Sequence, residues 1–272
     1  MLELLGQAML REGQSLLDRI LADDASIPSD RSRLRGGPTM SRSDDTDRFY
    51  SLLAALTART GGPRELRLCT GRSGWPSHGV YFFFEAGETR CEGETPRCTR
   101  IGTHALRAAS KATLWTRLAQ HRGIVGRRNP GAGNHRGSIF RRHVGAALMT
   151  SQSYRAEIVN GWLAPSRLEE LRVLEAHVER AVSDYIGRMP FLWLSVPSRP
   201  DGGSDRGFIE ANAIALLSMR TGGIDPASPT WLGNVAASEK VQTSGLWNVN
   251  HVDDSYDPSF LDLFEAYVIA MP

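Results

Sequence analysis

Gly79-Val80-Tyr81-Phe82-Phe83-Phe84-Glu85, then Cys98-Thr99-Arg100-Ile101-Gly102, then Leu114-Trp115-Thr116-Arg117-Leu118-Ala119-Gln120-His121 is the stretch on which the fold turns. The first run is β-branched and aromatic, the composition that fits a pleated and half-buried surface. A glycine- and charge-rich connection, Ala86 to Pro96, separates it from the second run, so the two are expected to form an antiparallel hairpin with a long loop. From about Ser110 the period changes. Leu114 and Leu118 stack four apart with Trp115 beside them, and Arg117 and His121 form a second i, i+4 row on an adjacent face. Two basic side chains therefore project together beside the hairpin.

A third strand is expected at Phe191-Leu192-Trp193-Leu194-Ser195-Val196-Pro197, a short apolar run bounded by prolines. The helix pattern after it, Arg206 to Leu217, places Glu210 between Leu217 and Ile214, inside the apolar arc, at about 100° per residue. An ionised carboxylate there is costly unless it is paired or binds a cation. A bound cation or a salt bridge to Arg206 one turn earlier would each relieve that cost.

The order GVY, RIG, a helical arginine and a histidine four residues later resembles the GIY-YIG nuclease superfamily. Gly79-Val80-Tyr81 matches the first half-motif, Ile101-Gly102 the end of the second, Arg117 and His121 the helical pair, and Glu210 the glutamate on the helix after the third strand. Arg100 departs from the pattern, because it stands where the second half-motif usually has tyrosine. The resemblance implies an α/β (α+β) fold: a small three-stranded, largely antiparallel sheet flanked by helices. It implies a metal-dependent endonuclease in which Tyr81 helps activate the attacking water, Mg²⁺ or Mn²⁺ on Glu210 binds the scissile phosphate, Arg117 stabilises its developing charge and His121 orients or accepts a proton. A free tyrosine has a pKa near 10, so Tyr81 acts as a base only beside cations. Arg100 is therefore expected to replace the hydrogen bond of the missing tyrosine and to support ionisation of Tyr81. The competing class is a catalytically weak or inactive nucleic-acid-binding protein that keeps the same fold, which the Arg100 substitution favours.

Charge supports a nucleic-acid partner. The formal net charge is only +2, but no Asp or Glu lies between Thr95 and Ala156. That segment holds Arg97, Arg100, Arg107, Lys111, Arg117, Arg122, Arg127, Arg128, Arg136, Arg141, Arg142 and Arg155, with four histidines. A polyanion held there gains from counterion release and from arginine forks matching phosphate oxygens; DNA or RNA is the expected partner, and the nuclease resemblance turns the expectation toward double-stranded DNA. The alternative is a basic face neutralised by acidic residues elsewhere in the fold. The loop from Gly123 to Gly137 carries five glycines with Arg127, Arg128, Asn134, His135 and Arg136, and it is expected to approach phosphates with Arg141 and Arg142 of the following helix. A flexible surface loop is the plainer account of its composition.

With 272 residues and 41% hydrophobic content, the chain can bury a real core. Residues 1–22 read as an amphipathic helix and 23–48 as a linker rich in Asp, Ser, Arg, Gly and Pro, with Met40 near its end as a conceivable start of translation. Residues 49–272 read as the nuclease-like domain, with an insertion at about 123–190 that elaborates binding. Within it Ser166-Arg167-Leu168-Glu169 is a capping box opening a helix to about Ile186, terminated by Gly187 and Pro190. The polar cluster Trp247 to Asp254 precedes a last amphipathic helix from Pro258 to Ile269; His251, Asp253 and Asp254 are further candidate ligands, though such loops more often support the fold. No apolar run approaches a membrane span and no signal-peptide pattern opens the chain, which points to the cytoplasm. Three cysteines argue against a disulfide framework, and Cys91, Cys98 and His104 fit no common zinc spacing. Walker A, GxGxxG and HExxH patterns are absent, leaving nucleotide hydrolysis, dinucleotide chemistry and zinc proteolysis without support.

Overall fold

The structure is a computed structural model that describes residues 41–91, 93–104, 106, 110–124, 131–164, 169–197 and 204–272. Its sheet has four strands in the order β1-β4-β2-β3, every neighbouring pair antiparallel: β1 (Arg64–Glu65), β2 (Gly79–Thr89), β3 (Pro96–Gly102) and β4 (Pro190–Ser195). The hairpin and the third strand of the sequence reading are β2, β3 and β4. The additional β1 is a two-residue edge, too short to carry any period in sequence.

Alternation along the strands sends side chains into two separate cores. Val80, Phe82, Phe84, Leu192 and Leu194 face α1 (Arg42–Thr60), α6 (Asp205–Leu217) and α8 (Phe260–Ala270). Tyr81, Phe83, Phe191 and Trp193 face α2 (Leu114–Arg122), α3 (Ile139–Ser151), α4 (Ala156–Leu163) and α5 (Arg172–Arg188). Burial on both faces explains why these strands read as nearly continuous apolar runs. Phe82, with no exposed surface, lies 5.4 Å from Phe264 and 5.9 Å from Phe49, and truncating such a ring to alanine costs about 3–5 kcal/mol. A short helix, α7 (Glu239–Ser244), lies between α6 and α8 in the chain.

The residues at 123–190 do more than decorate the domain, because α3, α4 and α5 form much of the layer over the Tyr81 face. The capping-box residues 166–168 lie outside the described residues, and α5 runs through Gly187 to Arg188 before Pro190 begins β4. Helix α1 begins at Arg42, so 42–48 is helical rather than linker. Ser41 and Asp44 cap it reciprocally, the Ser41 hydroxyl accepting the Asp44 N–H at 3.2 Å and the Asp44 carboxylate accepting the Ser41 N–H at 3.0 Å. Residues 1–40 lie outside the described residues.

The outer edge of β3 is covered by a segment distant in sequence. Trp247 N–H donates to the Thr99 carbonyl at 2.8 Å, while the Asn248 side chain accepts from Ile101 N–H at 3.1 Å and donates to its carbonyl at 2.9 Å. One asparagine side chain thus substitutes for a strand at an edge that would otherwise expose unpaired backbone groups. No helix among the described residues is long and apolar enough to cross a membrane.

Candidate functional site

The two motif glycines have a steric reason to be there. A Cβ at Gly79 would meet the Leu194 carbonyl oxygen of β4 at 2.3 Å, and one at Gly102 would meet the Tyr81 hydroxyl at 2.2 Å. Tyr81 and Gly102 are direct cross-strand partners, so the ring of the first half-motif lies across the glycine of the second. Tyr81 is completely buried there.

Its hydroxyl is 2.9 Å from His121 Nε2, and His121 Nδ1 is 2.9 Å from the Ser138 hydroxyl. Helix α2 supplies His121; its start is capped by Thr113, which accepts from Thr116 N–H, and its end by Gly123 at φ 79°. Ser138 caps α3 and accepts the Arg141 N–H at 3.3 Å. Burial, reinforced by Arg117, Arg100 and Arg141, holds the His121 imidazole well below the ordinary histidine range. A neutral ring accepts at one nitrogen and donates at the other, so Tyr81, His121 and Ser138 form a directional hydrogen-bonded chain.

Beside this chain opens a polar cleft of about 940 Å³. Arg100, Arg117, Arg136, His104, Glu210 and His251 are among the residues that line it, whereas Tyr81 and His121 lie one layer beneath. Gly137 and Ile139 of its wall flank Ser138, and Thr103 of its wall follows Gly102. Arg117 reaches the Gln120 side chain at 3.1 Å and the Gly137 carbonyl at 3.4 Å, with no carboxylate partner among the described residues.

Arg100 does not take the expected place of a tyrosine hydrogen bond. The Tyr81 hydroxyl goes to His121, and the Arg100 guanidinium donates from Nη1 to the Trp247 carbonyl at 2.8 Å and lies 5.5 Å from the Phe140 ring centre. Its Nε is buried without a hydrogen-bond acceptor. Arg100 remains a largely enclosed cation in the cleft wall.

Glu210, delivered by α6, accepts the Thr103 N–H at 3.1 Å through Oε1. Burial raises its pKa above the ordinary glutamate value, opposed by Arg100, the Thr103 N–H, His251 and Arg117. It forms no ion pair among the described residues, and Arg206 instead approaches the Val196 carbonyl at 3.5 Å. Among the described residues, no hydrogen bond reaches the other oxygen of Glu210. This donor set fits a hard divalent cation that keeps several waters and takes one carboxylate plus substrate phosphate oxygens, as Mg²⁺ and Mn²⁺ sites do. No group of three or more His, Cys, Asp or Glu placed to hold a metal occurs among the described residues. Asp253 is engaged by Arg220 and by Lys240, the latter at 2.8 Å, and all three cysteines are free thiols apart from any such group.

The residues expected to meet nucleic acid divide sharply. Arg127 and Arg128 lie outside the described residues. Asn134 is exposed and caps the turn His135–Gly137 by accepting the Arg136 N–H at 3.1 Å. Arg136 lines the cleft while pairing with Glu175 at 2.7 Å. His135 and Arg141 belong to the interior. His135 stacks on Trp162 with ring centres 3.5 Å apart and meets Glu179 at 2.8 Å. Arg141 is fully buried and binds Glu179, the His121 carbonyl and Ser183. Arg142 donates to the Leu163 carbonyl. The sequence reading also missed Thr103 and Ser138, and it weighed His104 only as a zinc ligand. A polar residue directly after Gly102, and a serine opening the helix of Arg141, were the available signals.

A family model described as the GIY-YIG domain matches residues 40–272. No curated protein and no solved structure matches the chain significantly.

Proposed function

Because the chain belongs to the GIY-YIG family, we propose that it is a metal-dependent endonuclease that hydrolyses phosphodiester bonds of double-stranded DNA in the cleft of Arg100, Arg117 and Glu210. Membership places it among nucleases; metal, substrate and residue roles are the finer reading. The observation that carries them is the state of Glu210: a desolvated carboxylate with no ion pair among the described residues, open to a cleft whose other charged walls are arginines. A structural carboxylate in such surroundings would be expected to close onto an arginine.

A divalent cation held by Glu210 would neutralise charge on the scissile phosphate. Arg117 and Arg100 would stabilise the non-bridging oxygens as charge develops in the transition state. His121 is neutral and so has a nitrogen free to take the Tyr81 proton as the Tyr81 oxygen takes one from the attacking water; burial and the arginines oppose the resulting imidazolium, and the negative charge of a seated phosphate would offset them. Because Tyr81 is enclosed, seating of substrate has to open the wall at its hydroxyl. That enclosure favours a second reading, a chain that binds nucleic acid in the cleft without cutting it.

The test is plasmid DNA incubated with Mg²⁺ or Mn²⁺ and the wild-type chain, Glu210→Ala or Tyr81→Phe, following nicking and linearisation. Cleavage by the wild type that is lost in both variants supports the nuclease. Intact plasmid with metal-independent gel retardation supports the binding protein.

A further inference from the structure

His251 lines the same cleft as Glu210, and it belongs to a pair that the proposed mechanism leaves unused. His251 Nδ1 is 2.7 Å from Asp254 Oδ2. A carboxylate accepts, so Nδ1 carries the proton of this bond and Nε2 is the nitrogen left for exchange. The ring lines the same cleft as Glu210, yet no ion pair within 4.0 Å joins them among the described residues. A cleft of about 940 Å³ that holds both a candidate metal ligand and an oriented imidazole has room for a scissile phosphate between them. His251 holds a left-handed backbone, φ 62°, uncommon for a residue with a side chain. The neighbouring Asp253 is occupied by Arg220 and Lys240, which leaves Asp254 as the partner.

We propose that His251, held by Asp254, is the general acid of the hydrolysis. This rests on the nuclease reading. As water attacks phosphorus and the bond to the departing sugar oxygen breaks with its electron pair on that oxygen, the Nε2 proton of the imidazolium moves there and the sugar leaves as an alcohol. The attacking water loses its proton on the Tyr81 side, and solvent reprotonates the imidazole. The other charged or titratable groups facing the cleft are Arg100, Arg117, Arg136, His104 and Glu210.

The experiment compares two leaving groups in the full chain with Mn²⁺: DNA, whose sugar alkoxide needs a proton, and thymidine 5′-(p-nitrophenyl phosphate), whose nitrophenolate does not. His251→Asn is the variant of choice because asparagine tolerates the left-handed backbone, and Asp254→Asn removes the orienting charge. His251→Asn is expected to slow DNA cleavage about 100-fold, the low end for general acid catalysis, while nitrophenyl ester hydrolysis and Mn²⁺ affinity by titration stay near wild type. Asp254→Asn should follow the same pattern more weakly. Equal losses on both substrates, a fall in Mn²⁺ affinity, or no loss on DNA overturns the assignment. A wild-type chain that cuts neither substrate refutes the hydrolase reading, and this inference with it.

Discussion

Replacing Gly102 with alanine tests whether the two half-motifs are joined by contact rather than by mere proximity. The new Cβ would lie 2.2 Å from the Tyr81 hydroxyl, 2.4 Å from Cζ and 2.6 Å from Cε2. Ordinary carbon contacts begin at roughly 3.5 Å, so the ring would have to retreat by about 1 Å. It has little room, enclosed with Phe83 at 5.6 Å and His121 at 5.5 Å between ring centres. Overpacking of this kind costs about 1–3 kcal/mol, and loss of the Tyr81–His121 hydrogen bond adds about 1 kcal/mol. At about 2–4 °C per kcal/mol for a domain of this size, a total of about 2–4 kcal/mol lowers Tm by roughly 4–16 °C. Urea denaturation should show an earlier midpoint at unchanged slope, and plasmid cleavage should fall in protein that remains folded. Tyr81→Phe is the companion: it loses the hydrogen bond without the clash, and combined with Gly102→Ala it should show non-additive coupling because the two sites touch. A Gly102→Ala chain with wild-type midpoint and wild-type cleavage refutes the packing argument.

Arg141→Met should destabilise the fold by about 3–5 kcal/mol in urea, because Glu179 is left buried without its cation; in folded protein the salt dependence of DNA binding should not change, since Arg141 does not reach the surface. Arg100→Ala should leave the chain folded, with Trp247 still donating to Thr99, yet slow plasmid cleavage about 100-fold and reduce the salt slope of DNA binding by about one. Glu210→Gln should abolish cleavage and stabilise the protein at neutral pH without metal. The Glu210 pKa is higher folded than unfolded, so the folded state binds the extra proton and wild-type stability falls as pH rises from the unfolded to the folded value; thermal melts of both chains across pH should converge at acid pH, and parallel curves would contradict this.

What was legible in the sequence was whatever depends on neighbours along the chain. The hairpin, the helix of Arg117 and His121 and the apolar arc around Glu210 are local periodicities that the structure contains, although Arg117 and His121 do not project together: Arg117 lines the cleft and His121 is buried against Tyr81. Charge was misleading for a matching reason: whether an arginine is a phosphate contact or a core ion pair depends on carboxylates far away in sequence. Arg136 and Arg141 find Glu175 and Glu179 on α5, thirty-nine and thirty-eight residues on, so an acid-free stretch looked more exposed than it is. The start of α1 was hidden because its capping serine and aspartate have the composition of a linker.

The segment from Trp247 to Asp254 shows the same limit at the site. In sequence it is an unplaced polar loop. In the fold it pairs with β3 through Trp247 and Asn248, holds the Arg100 guanidinium on a backbone carbonyl, and turns at His251 so that the imidazole faces the cleft. The arginine that replaces the motif tyrosine therefore depends on a residue 147 positions away. No reading of the half-motif alone recovers that, because Arg100 takes its position from the edge of β3 and from Trp247 rather than from its neighbour Tyr81. A change that loosens the Asn248 pairing should accordingly disturb Arg100 and His251 together, whereas one at Gly102 should disturb Tyr81 first.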